Sequence, residues 1–352
     1  MTEETFWIPE VKNTVENVRR VMFKILDDLE GDKTIVWDDR QNLMKRVNLF
    51  VGPKVLSNHG VTVNIRLDQH RPSATPYMVF FLSPTIASLD SLCDFMDKSR
   101  NDTKTLYIVV FIPEASYMVR EKLKERDGGK YYERLESVKE VPLWWLPRDG
   151  DCLSLNEPQL PSRQLINGDW TYMHRCAVAL NQLLTLVHGK IPLYSKGDWA
   201  INVAKMVTKM RKDADEDSPS AGGIRINRVV IIDRWLDPLT PLLTQLTYSG
   251  LLDELFGVGM MGSIKVPQAE FEQKDDVDPF ETKEIYLSDE TYNRLRHVHI
   301  NAVGSEFGGL TAELKKDEID PSDRDKMSIA EYKILVKKLP EIERRKGVMG
   351  SG

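Results

Sequence analysis

The stretch "RVVIIDRWLDPLTPLLTQLTYSGLLDELFGV" (residues 228–258) joins a run of β-branched residues to an Asp-Arg pair, two prolines and a long leucine-rich segment. Together with the residues before it, "IRINRVVIID" (224–233) reads as a strong strand, and Pro238 and Pro241 stiffen the turn after it. Leu246, Leu251, Leu252, Leu255 and Phe256 then fall at the spacing of a helix, with Thr240 or Thr244 as its expected cap. Strand, turn and helix in this order indicate an α/β unit. Its strand end has two readings. Open α/β sheets bind ligands beyond the carboxyl ends of their strands, which would make Asp233 and Asp237 an acid/base pair. Alternatively Asp233 caps the strand exit, pairing with Arg234 or a neighbouring backbone N–H. The second reading is preferred, because no adjacent histidine or polar cluster supports a base or nucleophile.

Outward from this stretch, composition sets the bounds. The chain has 352 residues, 41% hydrophobic and 29% charged, ordinary for a globular protein and long enough for two or three domains. Its net charge is −6 and no basic run interleaves with aromatics, which argues against nucleic acid as the main ligand. Cys93, Cys152 and Cys176 are an odd number without C-x-x-C spacing, so neither a disulfide framework nor a thiolate zinc site is expected, and reducing cytosol is the expected compartment. The acidic opening "MTEETFWIPE" lacks the features of a signal peptide. No apolar run approaches the roughly 18 residues of a membrane span, so any membrane role is expected to be indirect.

Towards the N-terminus, Val11, Val15, Val18, Met22, Ile25 and Leu29 predict one apolar face of a helix. The runs "TIVWD" (34–38), "VTVNIRL" (61–67), "YMVFFLS" (77–83) and "LYIVVFIP" (106–113) alternate with helix-like segments such as "TIASLDSLCDFMDKS". Near-continuous apolar strands of this kind predict a doubly wound parallel sheet covered on both faces. "SVKEVPLWWLP" (137–147) reads as its closing strand. Residues 168–212 predict two helices, with Val178, Leu183, Leu186 and Val187 on the first and Ala200, Val203, Met206 and Val207 on the second. "RKDADEDSPSAGG" (211–223) predicts a loop before the strand of a second α/β sheet. Beyond it, "PQAEFEQKDDVDPFETKE" (267–284) reads as loop. Two helices then open at Ser288 and Ser328, the latter with Glu331 at capping-box spacing.

The familiar chemical signatures fail on context. "GVGMMG" places Gly257, Gly259 and Gly262 in the dinucleotide pattern, but the pattern needs a strand before it and a helix after it. Here a helix precedes and no helix follows. The pairs Asp149/Asp151 and Asp276/Asp278 lie in turn-like sequence, where aspartate is favoured for its backbone hydrogen bonds. His297 and His299 would diverge on a helix, "NDT" (101–103) reads as a turn, and the motifs of metal hydrolysis, acyl transfer and phosphate cradling are missing. No cofactor, metal site or catalytic residue is expected.

At "IIDRWLDPLTPLLTQLTYSGLLDELFG" the sequence resembles the SM proteins, the SNARE-binding regulators of membrane fusion, and within them the vacuolar protein sorting thirty-three branch. The resemblance includes Asp233, Arg234, Asp237, Pro238, Thr240 and Pro241, with Trp235 and Pro238 as local departures. It continues through "KTIVWDD" (33–39), "LPRDGDCLSLNE" (146–157), "GDWTYMHRCAVALNQLLTLVHGKIP" (168–192), "INAVGS" (300–305) and "SIAEYKILVKKLPEIERRKG" (328–347).

The resemblance implies a multidomain α/β fold, with doubly wound parallel sheets in its first two domains and the helix-rich start of a third. Residues 1–148 would be the first domain, 149–260 the first part of the second and 261–352 the beginning of the third; the C-terminal part of the family fold is missing. It implies a non-enzymatic scaffold that binds and templates SNARE proteins, with Tyr332, Leu335, Val336, Lys338 and Leu339 as candidate contacts. Implied partners are SNAREs and a class C vacuolar-sorting subunit of a tethering complex of the HOPS or CORVET kind. The implied location is cytosolic, recruited to late endosomes, lysosomes or vacuoles. A half-sheet without the rest of its domain is expected to expose an edge and an apolar face. Two rivals are an adaptor that binds a tethering partner but no SNARE, and a nucleotide-dependent α/β enzyme using the D-x-D pairs.

Overall fold

The computed structural model describes residues 8–38, 40–69, 71, 75–99, 104–187, 191–212, 226–259, 262–268, 281–287 and 289–317. These fall into two compact units, one ending at Asp233 and the other beginning at Arg234.

The first unit opens with helix α1 (Pro9–Asp27), started by a proline in its first turn, where the missing N–H costs nothing. Its buried stripe is Val11, Thr14, Val15, Val18, Met22 and Leu26. The expected face is thus confirmed up to Met22, but Ile25 is only half-buried and Leu29 lies beyond the helix end. A 3.6-residue period carries the stripe to position 26 instead. Strands β1 (Lys33–Trp37), β2 (Val61–Arg66), β3 (Tyr77–Leu82), β4 (Leu106–Phe111) and β5 (Leu135–Glu140) form one parallel sheet in the order β2-β1-β3-β4-β5. Burial follows the register. β1 is buried along its length, while edge strand β2 alternates, exposing Thr62, Asn64 and Arg66. Helices α2 (Leu43–Asn48) and α3 (Pro53–Asn58) join β1 to β2. Helices α4 (Ile86–Lys98) and α5 (Tyr117–Glu125) follow β3 and β4, and their Leu89, Leu92, Phe95, Val119 and Leu123 share a core with Val36, Phe80, Val109 and Phe111.

The closing strand ends earlier than expected, at Glu140. Pro142 has no N–H to give a ladder, and Leu146 starts a separate antiparallel hairpin, β6 (Leu146–Asp149) with β7 (Cys152–Ser154). Three further helices follow: α6 (Leu160–Asn167), α7 (Thr171–Thr185) and α8 (Asp198–Lys212). On α7 the buried residues are Met173, Ala177, Ala179 and Leu184 rather than Val178 and Leu183, because Leu186 and Val187 lie past the helix end in a small separate cluster. Between α7 and α8 runs a strand the sequence did not announce, β8 (Leu193–Lys196), which pairs in parallel with β9 (Val229–Ile232); β9 is shorter than the strand expected over 224–233, because among the described residues only the four facing β8 find a ladder partner. Helices α7 and α8 cover one face of this pair through Met173, Ala177, Leu184, Val203 and Val207.

Where α7 meets the first sheet's closing segment, Trp145 donates Nε1–H to the Ala179 carbonyl at 2.9 Å. Nearby, Arg175 pairs with Glu157 and stacks over Trp144. Burial pushes the Glu157 carboxyl up, outweighing the opposing pull of Arg175 and Arg46. Its stabilising contribution is therefore greatest below the ordinary carboxylate range and is lost as pH rises through its folded value. Glu157→Gln, which leaves the Arg46 and Arg175 guanidiniums without their carboxylate, should cost roughly 2 kcal/mol or more at pH 7, and Trp145→Ala roughly 3 kcal/mol, both read by urea unfolding.

The second unit contains helix α9 (Tyr248–Phe256), the antiparallel hairpin of β10 (Ser263–Pro267) and β11 (Thr282–Tyr286), and helices α10 (Glu290–Leu295) and α11 (Ile300–Asp317). The loop expected over 267–284 is corrected at both ends. Pro267 and Thr282–Glu284 belong to the hairpin, closed by Ser263 Oγ–H to Glu284 at 2.7 Å, and residues 269–280 lie outside the described set. The helix expected from Ser288 begins two residues later, because Asp289 rather than a serine accepts the Tyr292 N–H; Val298 lies past its end. The expected helix from Ser328 lies outside the described residues. No helix among the described residues is long and apolar enough to cross a membrane.

Candidate functional site

In a sheet of order β2-β1-β3-β4-β5, the chain reverses direction between β1 and β3, and the crevice beyond those strand ends is where a doubly wound fold takes ligands. Here it holds Asp38, 2% exposed, directly after β1. Its Oδ2 accepts Ser83 N–H at 3.1 Å and Ser88 Oγ–H at 2.6 Å, and its Oδ1 accepts Arg40 N–H at 3.2 Å. Ser83 directly follows β3 and Ser88 lies in the first turn of α4, whose N-cap is Thr85. A carboxylate of the chain itself thus ties the end of β1 to the start of α4 through the Ser88 hydroxyl.

The second sheet repeats the construction. Asp233, following β9, accepts Trp199 N–H at 3.0 Å and Ala200 N–H at 2.6 Å, the first-turn donors of α8. This is the expected strand-exit aspartate with a backbone N–H partner, and Arg234 is not that partner. The carboxylate reaches α8 because Gly197, at φ +100°, has no Cβ; one built there would collide with the Asp233 carboxyl. Arg234 turns instead to Asp237, donating to its carbonyl at 2.7 Å and its carboxylate at 3.3 Å. Asp237 Oδ1 accepts Thr240 N–H, and the Thr240 hydroxyl and N–H hold its carboxyl below the usual carboxylate range. Thr240 and Pro241 form a short 3-10 turn, with Pro238 just before it. The expected helix cap is corrected: Thr247, not Thr240 or Thr244, accepts Gly250 N–H at 3.3 Å, and Leu246 precedes the helix. Asp233 and Asp237 bind different backbone donors and are not brought together as an acid/base pair.

The remaining candidates fall as follows. Asp149 ends β6 and Asp151 sits in the turn to β7, while Asp276 and Asp278 lie outside the described residues. The glycine pattern follows helix α9 and precedes strand β10; Gly259 N–H bonds Ser263 O, the wrong context for a pyrophosphate. His297 and His299 lie in the link from α10 to α11, and no group of metal-holding side chains occurs among the described residues. Burial pushes the Cys93 and Cys176 thiols up to about 11, and Cys152 is exposed. Tyr332, Leu335, Val336, Lys338 and Leu339 lie outside the described residues. Sequence reasoning missed Asp38 and Gly197. Asp38 ends a legible strand, which was a usable signal; Gly197 had none, because its need comes from a carboxylate distant in sequence.

Residues 33–349 match the model of the Sec1 family. This chain belongs to the Sec1 family. It is 55% identical over 351 residues to vacuolar protein sorting-associated protein 33A of Caenorhabditis elegans, covering 96% of this chain and 58% of that protein. A rat protein of the same name is 28% identical over 350 residues, covering 96% of this chain and 57% of that protein. Among solved structures, the SM protein Vps45 in complex with the Qa SNARE Tlg2 matches with a TM-score of 0.62 at 22% identity, over 96% of this chain and 59% of that one. The expected SM fold and the vacuolar protein sorting thirty-three branch are thereby borne out, and the chain spans a little over half the length of these relatives.

Within this Sec1-family chain, Gly197→Ala should destabilise by roughly 2 kcal/mol or more. Combining it with Asp233→Ala should cost less than the two single changes together, because removing the carboxylate relieves the collision; urea unfolding of the double-mutant cycle reads this directly. Thiol reagent at pH 8 should label Cys152 rapidly. Cys93 and Cys176, about 0.1% ionised there, should react only after denaturation, as mass spectrometry would show.

Proposed function

We propose that the chain is a non-enzymatic SM-type scaffold that binds and templates SNARE proteins during endosomal, lysosomal or vacuolar tethering and fusion, in vesicle-mediated protein transport. The supporting observation is the family match over residues 33–349, a span that includes Tyr332, Leu335, Val336, Lys338 and Leu339. The absence of enzymatic chemistry in this reading is supported by Asp38 and Asp233, which fill the crevices where α/β enzymes hold ligands. Templating would act by ordering SNARE helices before they meet, removing part of the entropy cost of assembly.

In this reading residues 1–148, 149–260 and 261–352 are successive domains of the SM fold. The break between compact units at Asp233 and Arg234 falls inside the second. A domain represented only by its first part need not close on itself. A class C vacuolar-sorting subunit of a HOPS- or CORVET-type complex would recruit the cytosolic chain to late endosomal, lysosomal or vacuolar membranes. The adaptor reading, with partner binding and no SNARE binding, draws on the chain's spanning 58% of the C. elegans relative.

The test is titration of the purified chain with labelled endolysosomal SNARE motifs, singly and as an assembled bundle. Saturable binding weakened at least tenfold by Leu335→Asp is expected. A folded chain that binds no SNARE motif yet retains its tethering partner would replace this reading with the adaptor.

A further inference from the structure

Between β4 and α5 the chain turns through Glu114, Ala115 and Ser116, and charged side chains fasten that turn to β5. Glu140, the last residue of β5, accepts Ala115 N–H at 2.9 Å and Arg120 Nη2–H at 2.6 Å on the same carboxylate oxygen. Arg120, one turn into α5, also donates Nε–H to the Ala115 carbonyl at 3.2 Å. Its guanidinium thus bridges turn and strand. Ser116 completes the start of the helix by accepting Val119 N–H at 3.4 Å.

Glu114 puts a second carboxyl beside this bridge. The groups that face it are Glu140 on β5, Arg120 on α5 and the Trp144 ring N–H on the segment after β5. That N–H is buried and completes no hydrogen bond, and it is the weakest of the three influences. Burial, and then the Glu140 charge, push the Glu114 carboxyl up against the opposing pull of Arg120 and Trp144. With both acids ionised, two carboxylates share one guanidinium and the cluster carries a surplus negative charge. With a proton on Glu114 it is neutral.

We propose that Glu114 is a proton-operated latch on the start of α5: protonated, it leaves Arg120 to Glu140 and the turn stays fastened; ionised, it competes with Glu140 for Arg120 and the turn loosens. Because the displacement is upward, the stability gained from the proton is complete below the ordinary glutamate range and is lost as pH rises through the folded value. The helix turn so controlled carries Tyr117 and Met118, 78% and 64% exposed, so the latch sets the order of a surface element and not of the core.

The test is hydrogen exchange on the full 352-residue chain from pH 5 to pH 8, corrected for the intrinsic pH dependence of exchange. The amides of Ala115, Val119 and Arg120 report the latch, and those of α4 serve as internal reference. As pH rises, protection at the three amides should fall at least about threefold relative to α4. Glu114→Gln, which keeps the neutral form at every pH, should hold protection at its pH 5 level throughout. In Glu140→Gln an ionised Glu114 has no rival for Arg120, so the fall should vanish there too. A flat profile in the unaltered chain would overturn the proposal, as would a fall that persists in Glu114→Gln. Should Glu114→Gln fail to fold, an undiminished fall in Glu140→Gln would overturn it on its own.

Discussion

The fold depends on one interaction made twice: an aspartate at a strand's carboxyl end accepting hydrogen bonds from the start of a neighbouring helix. Backbone N–H groups in a helix's first turn have no partner within the helix, and the helix dipole adds positive potential there. Asp233 meets these groups on α8 at 2.6 and 3.0 Å. Asp38 meets the end of β3 and the first turn of α4 through a backbone N–H and a serine hydroxyl. Each aspartate thereby ties the end of its strand to the start of a neighbouring helix.

Apolar side chains also stand at the surface. In the second unit Leu239, Leu242 and Leu243 are exposed, and α9 has no fully buried residue. In the first unit the outer face of β8–β9 is equally bare. Arg234, Asp237 and Thr240 nevertheless hold their turn by local hydrogen bonds. The motif's polar residues thus shape the backbone, while Leu239, Leu242 and Leu243 stay exposed.

How much of this was legible depends on the range over which each signal acts. The strands at 34–38, 77–83 and 106–113 were plain because burial on both faces writes apolar residues without interruption. Strand β8 was missed because "LYSK" has one half-buried residue and gains strand character only by lying beside β9. Helix α11 was obscured by Gly304, Gly308 and Gly309, which lower helix propensity; in the described chain these glycines have open space at the Cβ position. The role of Asp233 was half visible: its place at a strand exit follows from local sequence, but its true partners do not.

Charge gives the same lesson at the junction of the first sheet with α7. Arg46, Arg175 and Glu157 look, as a list, like a stabilising cluster. Arg46 is 6% exposed and reaches the Leu143 carbonyl at 3.4 Å, while its Nε finds no acceptor. Burial lowers the affinity of that guanidinium for its proton and raises that of the Glu157 carboxyl. Both shifts say that removing charge from water costs more here than the pairing returns. Apolar burial and neutral hydrogen bonds such as Trp145 to Ala179 therefore join the ion pair in holding α7 to the sheet. Unlike the pairing of exposed charges, those contacts persist when charges are screened by salt, so the junction does not depend on the ionic strength around it.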